Sequence, residues 1–453
     1  MSRPDPVAAW HALLDEEGAA DTLGWLVERQ AHDGIAFGAR PLCTVARPRF
    51  LSAAGYDALR RAARPLLGAL ARIGQAALAD AELRAAFRLA GWEESLLSRL
   101  PPVPVVTPFS RIDAFIDPVD GVPRLTEFNG ETPAGAGYAD ALSDLFQALP
   151  VMHRFNRDWV VRTMPCRPQV LGVLLDGWHR FRGVRSRPTI AIVDWADVPT
   201  LSEFVLIRDY ALRMGVPCRI TTPEALSFDG TALRDADGTA IDLVYKRVLL
   251  HELVARGGLE HPLLQAVAAG AVAMLNPPQG KPLHKKASLA VLTDERHAAR
   301  FTATQRTVIA RHVPWTRVVE ERRTELDGVT IDLIPWMQAH RDELVLKPND
   351  DYGGNGIVLG WQVDDAAWHA AIVTALASPY VVQRRIRLPS EPFPSAGPDG
   401  RMALSDRIVD TAPFCWDGTY MDGMLTRIST DPLVNVTAGG GSTVPTFVVE
   451  PRT

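Results

Sequence analysis

The chain has 453 residues, of which 47% are hydrophobic and 22% are charged. This length predicts two or three domains, and the composition is that of an ordinary soluble protein with a large core. A formal net charge of −5 provides no global basic field, which argues against a nucleic-acid partner. Cys43, Cys166, Cys218 and Cys415 form no Cys-x-x-Cys pair, so neither a zinc site nor a disulfide framework is indicated.

The first residues, Met1 to Asp5, contain no apolar signal region, and no apolar run in the chain is long enough to span a bilayer. The scattered cysteines fit a reducing compartment. We therefore expect a cytoplasmic protein without a membrane partner.

Residues 1–100 are predicted to form a helical N-terminal region. Leu59, Leu66 and Leu70 recur at helical spacing with arginines on the opposite side, and the alanine-rich continuation to Leu97 favours helix. Such a region is either a surface for a partner or substrate, or a helical bundle packed on the rest of the chain. The base rate for amphipathic helices favours the bundle.

Residues 101–187 are predicted to hold a β-hairpin and a helix. The stiff segment Pro101–Pro104 marks the boundary, because proline removes amide donors and restricts its neighbours. The hairpin strands are Ser110–Ile116 and Arg124–Asn129, and the helix runs from Tyr138 to Leu149.

Four polar side chains of the hairpin are predicted to share one face. With the turn centred near Asp120, Asp113 faces Glu127 and Arg111 faces Asn129 across the two strands. Two carboxylates and an amide oxygen suit Mg²⁺, and the arginine can bind a phosphate oxygen or a developing oxyanion. A slip of one residue would separate the pairs, and the alternative is a solvated sheet face with an ion pair.

Residues 188–275 are predicted to form an α/β domain on the substrate side. Thr189–Val193 has a buried-strand pattern, Phe204–Met214 is helical and Pro217–Thr221 is a further strand, an alternation typical of a βαβ unit. No Gly-x-Gly-x-x-Gly pattern supports a dinucleotide site. Tyr245–Arg247 is either a contact for an anionic substrate or an ordinary strand end.

Residues 276–453 contain a strand that leads into a glycine-rich loop. The apolar strand Leu344–Leu346 ends at Lys347, and the loop runs on into Ile357–Leu359. Glycines let the backbone approach phosphate oxygens, and the lysine adds positive charge. A Walker A loop opens a helix and is therefore different. An ordinary hairpin connection explains the loop equally well when it is taken alone.

The motifs are more specific in combination. Val345–Pro348 with Gly353–Gly356, followed by Val381–Gln383, resembles the nucleotide half of the ATP-grasp superfamily. Glu127–Asn129, before a small-residue turn, resembles the metal motif of that superfamily. Because the metal motif precedes the glycine loop here, the order resembles the circularly permuted group that includes glutathionylspermidine synthase-like proteins. The resemblance covers residues 101–453.

The resemblance implies an α/β (α+β) fold of the circularly permuted ATP-grasp type, with the βαβ unit in a pre-ATP-grasp-like position and residues 276–453 as the nucleotide-binding domain. It also implies a set of site residues. The metal ligands would be Asp113, Glu127 and Asn129; the ATP contacts would be Lys286, Lys347, Gly353, Gly354, Gly356, Val382 and Gln383; the catalytic arginines would be Arg111 and Arg427. Many members have glutamate near the position of Gln383, where glutamine can still hydrogen-bond adenine or ribose.

The implied activity is that of an ADP-producing carboxylate–amine ligase with ATP and Mg²⁺ as cofactors and small-molecule or peptide substrates. Mg²⁺ and lysines would neutralise charge while the γ-phosphoryl group passes to a carboxylate, and an amine would attack the acylphosphate. A small-molecule or peptide kinase on the same fold and a non-catalytic ATP-binding scaffold are the two alternatives. The sequence carries no signal for the oligomeric state.

Overall fold

The computed structural model describes residues 5–351, 354–397, 401–434 and 441–452. The helices are Pro6–Glu17, Ala19–His32, Ala53–Ala79, Ala81–Ala85, Gly91–Ser98, Ala136–Gln147, Pro150–Phe155, Arg167–Arg182, Leu201–Arg213, Leu250–Gly257, Pro262–Ala268, Lys281–His284, Ala287–Thr293, Ala303–His312, Leu333–Ala339 and Asp365–Ala377. Within the described residues, no helix combines the length and apolar character that crossing a membrane requires.

The largest sheet joins the hairpin near the start of the chain to strands near its end. In spatial order its strands are Ser390–Ala396, Met402–Val409, Tyr420–Ser429, Ala412–Trp416, Phe109–Ile116 and Pro123–Asn129, with Gly441–Val444 also paired to Tyr420–Ser429. Phe414 pairs with Arg111, which is the connection between the two parts. The hairpin and the C-terminal strands therefore form one surface.

The hairpin has the predicted register. Arg111 pairs with Asn129 and Asp113 pairs with Glu127, with a register shift directly after Asp113. On the opposite face, the apolar side chains of Ile112, Ala114 and Phe128 are buried in a common core. Burial of this apolar face holds the four polar side chains on the other one, because alternate residues of a strand point to opposite faces.

The predicted βαβ unit is confirmed. Ile190–Val193 and Cys218–Thr221 are parallel neighbours, joined by the helix Leu201–Arg213. Leu243–Lys246 and Ala273–Leu275 extend this parallel sheet on the other side. The chain between the strands Cys218–Thr221 and Leu243–Lys246 forms a small antiparallel sheet of its own. Its strands are Ser227–Phe228, Leu233–Arg234 and Ala240–Ile241.

The predicted strand–loop–strand unit is also present. Leu344–Pro348 pairs antiparallel with Val358–Leu359 across the glycine loop and with Tyr380–Arg384 on its other edge. Thr316–Val318 completes this sheet. Arg323–Leu326 and Val329–Asp332 form a separate hairpin.

Residues 33–52 differ from the all-helical expectation for the first hundred residues. Ala36–Phe37 and Arg40–Pro41 form a short hairpin, and Arg49–Ser52 is a strand. The stretch contains Gly34, Gly38, Pro41 and Pro48, which disfavour helix. The last strand is stabilised by parallel pairing with Thr446–Pro451, which also pairs with Trp159–Arg162.

The long helix Ala53–Ala79 packs against the apolar face of the hairpin. Leu59, Leu66 and Leu70 lie in the same buried cluster as Ile112. Ser52 caps this helix by accepting a hydrogen bond from the amide of Gly55, as serine commonly does at this position. The N-terminal helices therefore support the hairpin from behind.

Candidate active site

The polar face of the hairpin and the strand and loop around Lys347 and Gly354 line a cavity of about 460 Å³. The residues predicted for the site that line it are Arg111, Asp113, Glu127, Asn129, Lys347, Gly354, Gln383 and Arg427. Three elements far apart in sequence supply them: the hairpin, the sheet that contains Leu344–Pro348, and the C-terminal strand Tyr420–Ser429. The fold thus brings the two predicted halves of the site together.

Two guanidinium groups hold Asp113. Arg111 donates from Nε to Oδ1 at 2.7 Å and from Nη2 to Oδ2 at 3.2 Å, while Arg427 donates from Nη2 to Oδ2 at 2.7 Å. Burial alone would raise the pKa of Asp113, but the two arginines outweigh it and hold that pKa well below its usual value. The carboxylate is therefore ionised, and each of its oxygens accepts from arginine.

Arg427 is itself fixed by a carboxylate that the sequence analysis missed. The backbone amide and Nε of Arg427 both donate to Asp410, which is fully buried. Burial raises the pKa of Asp410, whereas Asp113 and Asp410 together raise the pKa of Arg427. No short motif marks Asp410, because its role depends on which strands pair in the C-terminal sheet.

Glu127 lies near two lysines from the later part of the chain, Lys286 and Lys347. Its Oε1 lies 3.2 Å from Nζ of Lys286, which also donates to the carbonyl of Asp351 at 2.7 Å. Burial opposes ionisation of Glu127, but the charge of Lys286 lowers its pKa below the usual value. Lys286 lies beside Glu127 and is not itself among the residues that line the cavity.

Lys347 lies at the wall of the cavity, next to the strand Tyr380–Arg384. Its Nζ donates to Oε1 of Gln383 at 2.8 Å and to the carbonyl of Thr126 at 3.2 Å. Burial lowers the pKa of Lys347 to about 8, although Glu127 acts in the opposite direction. This half-buried cation forms no ion pair with a carboxylate of the described residues, which suits it to an anionic ligand such as a phosphate.

The oxygen atoms available to Mg²⁺ come from Glu127 and Asn129. Among the described residues, the buried Nδ2 of Asn129 has no hydrogen-bond partner; as a donor it can bind a phosphate oxygen, while the Oδ1 atom of the same amide is the group that can ligate Mg²⁺. Mg²⁺ usually binds through one or two carboxylates together with water and phosphate oxygens, and this donor set fits that pattern. Asp113 fits less directly, because its oxygens accept from two arginines. In the described part of the chain, no three or more His, Cys, Asp or Glu side chains form a metal site on their own.

The glycine loop has the close approaches that require glycine. Gly354 lines the cavity with a φ of 79°. Gly356 has a φ of 66°, and a Cβ there would lie 2.7 Å from Cγ of Pro348. Gly353 lies outside the described residues.

Val382 and Gln383 occupy different environments. The side chain of Val382 is fully buried in the core beneath the sheet, with Leu346, and does not line the cavity. Gln383 does line it, and its Nε2 donates to Oγ1 of Thr316 at 3.0 Å. Any adenine contact at Val382 would therefore be made by its backbone.

A buried ionic cluster behind the cavity was missed from the sequence. Asp350, at the base of the glycine loop, accepts from Nζ of Lys281 at 3.0 Å and from Nζ of Lys285 at 2.8 Å. Nζ of Lys281 also donates to Glu131 at 2.7 Å, and Nζ of Lys285 lies 2.7 Å from Oε1 of Glu93. The four-residue spacing of the two lysines was a usable signal, because it places them on one helical face.

Similarity to a solved structure identifies the fold. A glutathione synthetase-like effector of Globodera pallida, GSS30, superposes on 98% of this chain and 98% of its own with a TM-score of 0.60 at 13% identity. The chain therefore shares the fold of this glutathione synthetase-like protein. This confirms the predicted mixed α/β class, while circular permutation and the glutathionylspermidine synthase-like group stay predictions. A RimK domain ATP-grasp protein of Sphaerobacter thermophilus covers 57% of this chain and 90% of its own at 15% identity, with a TM-score of only 0.28.

Similarity in sequence is more limited. No family model matches the chain. It is 27% identical over 274 residues to a Frankia alni protein named "Putative glutamate--cysteine ligase 2-3", which covers 57% of this chain. The matched part is 29% of that protein, so the chain spans less than a third of the length of this relative.

Proposed function

We propose that this chain is an ATP-dependent carboxylate–amine ligase that binds Mg-ATP between the 111–129 hairpin and the 347–356 loop. One observation carries the proposal: Glu127, Asn129 and Lys347 line a single cavity, with Lys286 beside the carboxylate. Oxygen ligands for a cation and cations for phosphates are the two halves of a nucleoside triphosphate site.

In this proposal, Glu127 and Asn129 hold Mg²⁺, with Asp113 completing the set if Arg427 turns towards substrate. When bound, Mg²⁺ supplies charge neutralisation at the phosphates. Lys286 and Lys347 contact phosphate oxygens, and the loop with Gly354 and Gly356 covers them. Gln383 is placed to hydrogen-bond the adenine or ribose.

Arg111 and Arg427 are the proposed catalytic residues. The γ-phosphoryl group passes to the substrate carboxylate, and an amine then attacks the acylphosphate, forming a carbon–nitrogen bond and releasing phosphate. In this proposal the two guanidinium groups, both hydrogen-bonded to Asp113, stabilise negative charge on the tetrahedral intermediate. The ligase name of the Frankia alni relative supports this reaction class.

The test is ADP release measured over pooled carboxylates and amines, including amino acids, short peptides and polyamines. A ligase releases ADP only when both a carboxylate and an amine are present, and mass spectrometry finds an amide. A stable phosphate ester formed without an amine would instead identify a kinase. Nucleotide binding without turnover across the whole panel would identify an ATP-binding scaffold.

A further inference from the structure

Arg247 lines the same cavity as the proposed ATP site. It follows Lys246 at the end of a strand of the parallel sheet, and the two side chains have different surroundings. Lys246 is fully buried, and its Nζ donates to Glu131 at 3.3 Å in the ionic cluster. Arg247 is therefore the member of the Tyr245–Arg247 segment that presents a positive charge to the cavity.

The guanidinium of Arg247 is buried without an ion-pair partner. The residue is only 6% exposed; among the described residues its Nε has no hydrogen-bond partner, and no carboxylate lies within 4.0 Å of its guanidinium. Both of its side-chain hydrogen bonds leave from Nη1, to the carbonyl of Pro133 at 2.6 Å and to the hydroxyl of Tyr245 at 3.4 Å. Burial opposes the charge of Arg247, but Tyr245 and the carboxylates of Glu203 and Asp194 raise its pKa without forming an ion pair, so the charged guanidinium can still bind an anion directly.

The position of Arg247 relates it directly to the proposed catalytic centre. Arg247 donates to the carbonyl of Pro133, and Arg111 donates to the carbonyl of the next residue, Ala134, at 2.8 Å. The two guanidinium groups are thus held by consecutive carbonyls of the 133–134 segment, and both arginines line the cavity. An anion bound by Arg247 would therefore lie in the same cavity as Arg111.

Carboxylates line the cavity near Arg247 as well. Asp194 and Glu252 both line it, and both accept from Trp195: Asp194 from the backbone amide at 2.9 Å, and Glu252 from the indole Nε1 at 2.9 Å. These hydrogen bonds fix the two acids while leaving oxygen lone pairs for an ammonium group. The arginine can bind the carboxylate of a zwitterion, and the two carboxylates can bind its ammonium group.

We propose that Arg247 is a specificity residue that binds an unreacted carboxylate of one substrate, and that this substrate is a free amino acid. The inference rests on the proposed ligase function, because it assigns the compartment beside the ATP site to a substrate. The planar fork of arginine binds a carboxylate through two parallel hydrogen bonds. An α-carboxamide would lose both the charge and one acceptor.

The test compares free L-amino acids with their α-carboxamides. Binding of each pair is measured by isothermal titration calorimetry in the presence of Mg²⁺ and a non-hydrolysable ATP analogue, so that turnover is not required. In the wild type, at least one acid binds about tenfold or more tightly than its amide, as expected for a charge-assisted pair. Arg247→Gln removes this preference. The matched control Arg213→Gln, which removes a cation from the exposed surface of the same α/β unit, leaves it unchanged.

A second variant covers the case in which Arg247→Gln does not fold. Arg247→Lys keeps the charge but loses the fork, and it is expected to weaken acid binding about tenfold with little change for the amide. Equal binding of acids and amides by the wild type, no binding of any acid, or an unchanged preference in both Arg247 variants would each overturn the inference.

ADP release is recorded on the same panel to separate the two proposals. Acid-selective binding that depends on Arg247 but gives no ADP with any partner would reject the ligase function and leave the carboxylate subsite in place. ADP release that is as fast with amides as with acids would reject the subsite and leave the ligase function in place.

Discussion

Asp194 is a residue of the cavity whose negative charge lowers the stability of the folded protein. Burial raises its pKa from 3.8 to about 6, against the opposing hydrogen bond from the amide of Trp195. A carboxylate whose pKa is higher in the folded state destabilises the fold once it ionises. This loss of stability is absent at pH values below the pKa of Asp194 in the unfolded state, and it is complete at pH values above its pKa in the folded state.

We therefore expect Asp194→Asn to stabilise the protein by about 2–3 kcal/mol at pH 7. The neutral amide keeps the shape of the side chain but carries no charge to desolvate. The gain over the wild type should shrink as the pH falls from 6 to 4. Denaturant unfolding of the variant and the wild type across this pH range measures the difference in their free energies of unfolding. A difference that does not change with pH would contradict a raised pKa of Asp194.

Individual residues were predictable where a local pattern encodes them. Arg111, Asp113, Glu127 and Asn129 follow from strand alternation and one turn, and their register is as expected. The pairing of Asp113 with Arg427 was not predictable, because it depends on a strand near the other end of the chain. In the structure Asp113 is shared between two arginines, and its role as a metal ligand stays a prediction.

At the scale of elements, ion pairs of Asp350 hold the base of the glycine loop. Asp350 is contacted by both Lys281 and Lys285, and these two cations hold its pKa well below the usual value despite burial. The side chain of Asp350 is 22% exposed, whereas both lysines are almost fully buried. Removing this carboxylate would leave two buried cations with fewer partners.

We expect Asp350→Asn to lower the free energy of unfolding by about 2 kcal/mol or more and to weaken binding of the ATP analogue, because the loop loses its anchor. Asp365→Asn is the matched control. Asp365 pairs with Arg341 on the surface at 91% exposure, so its loss should cost less than about 1 kcal/mol. Equal effects of the two variants on stability and affinity would argue against an anchoring role.

Elements stabilised by local patterns were predicted better than elements stabilised by distant pairing. The hairpin, the βαβ unit and the strand beside the glycine loop all have a recognisable period and short connections. Arg49–Ser52 was assigned to a helical region because its stability comes from pairing with Thr446–Pro451, which no local period reveals.

At the scale of the whole molecule, the N-terminal region is packed into the proposed catalytic unit. Leu59, Leu66 and Leu70 share a core with Phe128 of the hairpin, and Glu93 contacts the cluster behind the loop. A domain boundary near residue 100 was predicted from prolines. Because residues on the two sides of this boundary share a core, a fragment that begins at residue 101 tests whether they are separate domains.

We expect the fragment 101–453 to lack a cooperative unfolding transition. Exposing each buried leucine partner costs about 1.5–3 kcal/mol, and several such losses together match the whole stability of a typical domain. Calorimetry of the fragment and of the full chain provides the comparison. A sharp transition in the fragment would instead show that residues 1–100 are a separate, dispensable domain.

The most direct test of the proposed site is Mg²⁺-dependent binding of a non-hydrolysable ATP analogue to the wild type and to Glu127→Gln. Glu127 lines the cavity, whereas the control residue Glu343 is half exposed outside it. We expect the wild type to bind only with Mg²⁺, Glu127→Gln to bind on the order of tenfold to a hundredfold more weakly, and Glu343→Gln to match the wild type. Unchanged binding by Glu127→Gln, or no binding by the wild type, would contradict the proposal that this cavity holds Mg-ATP.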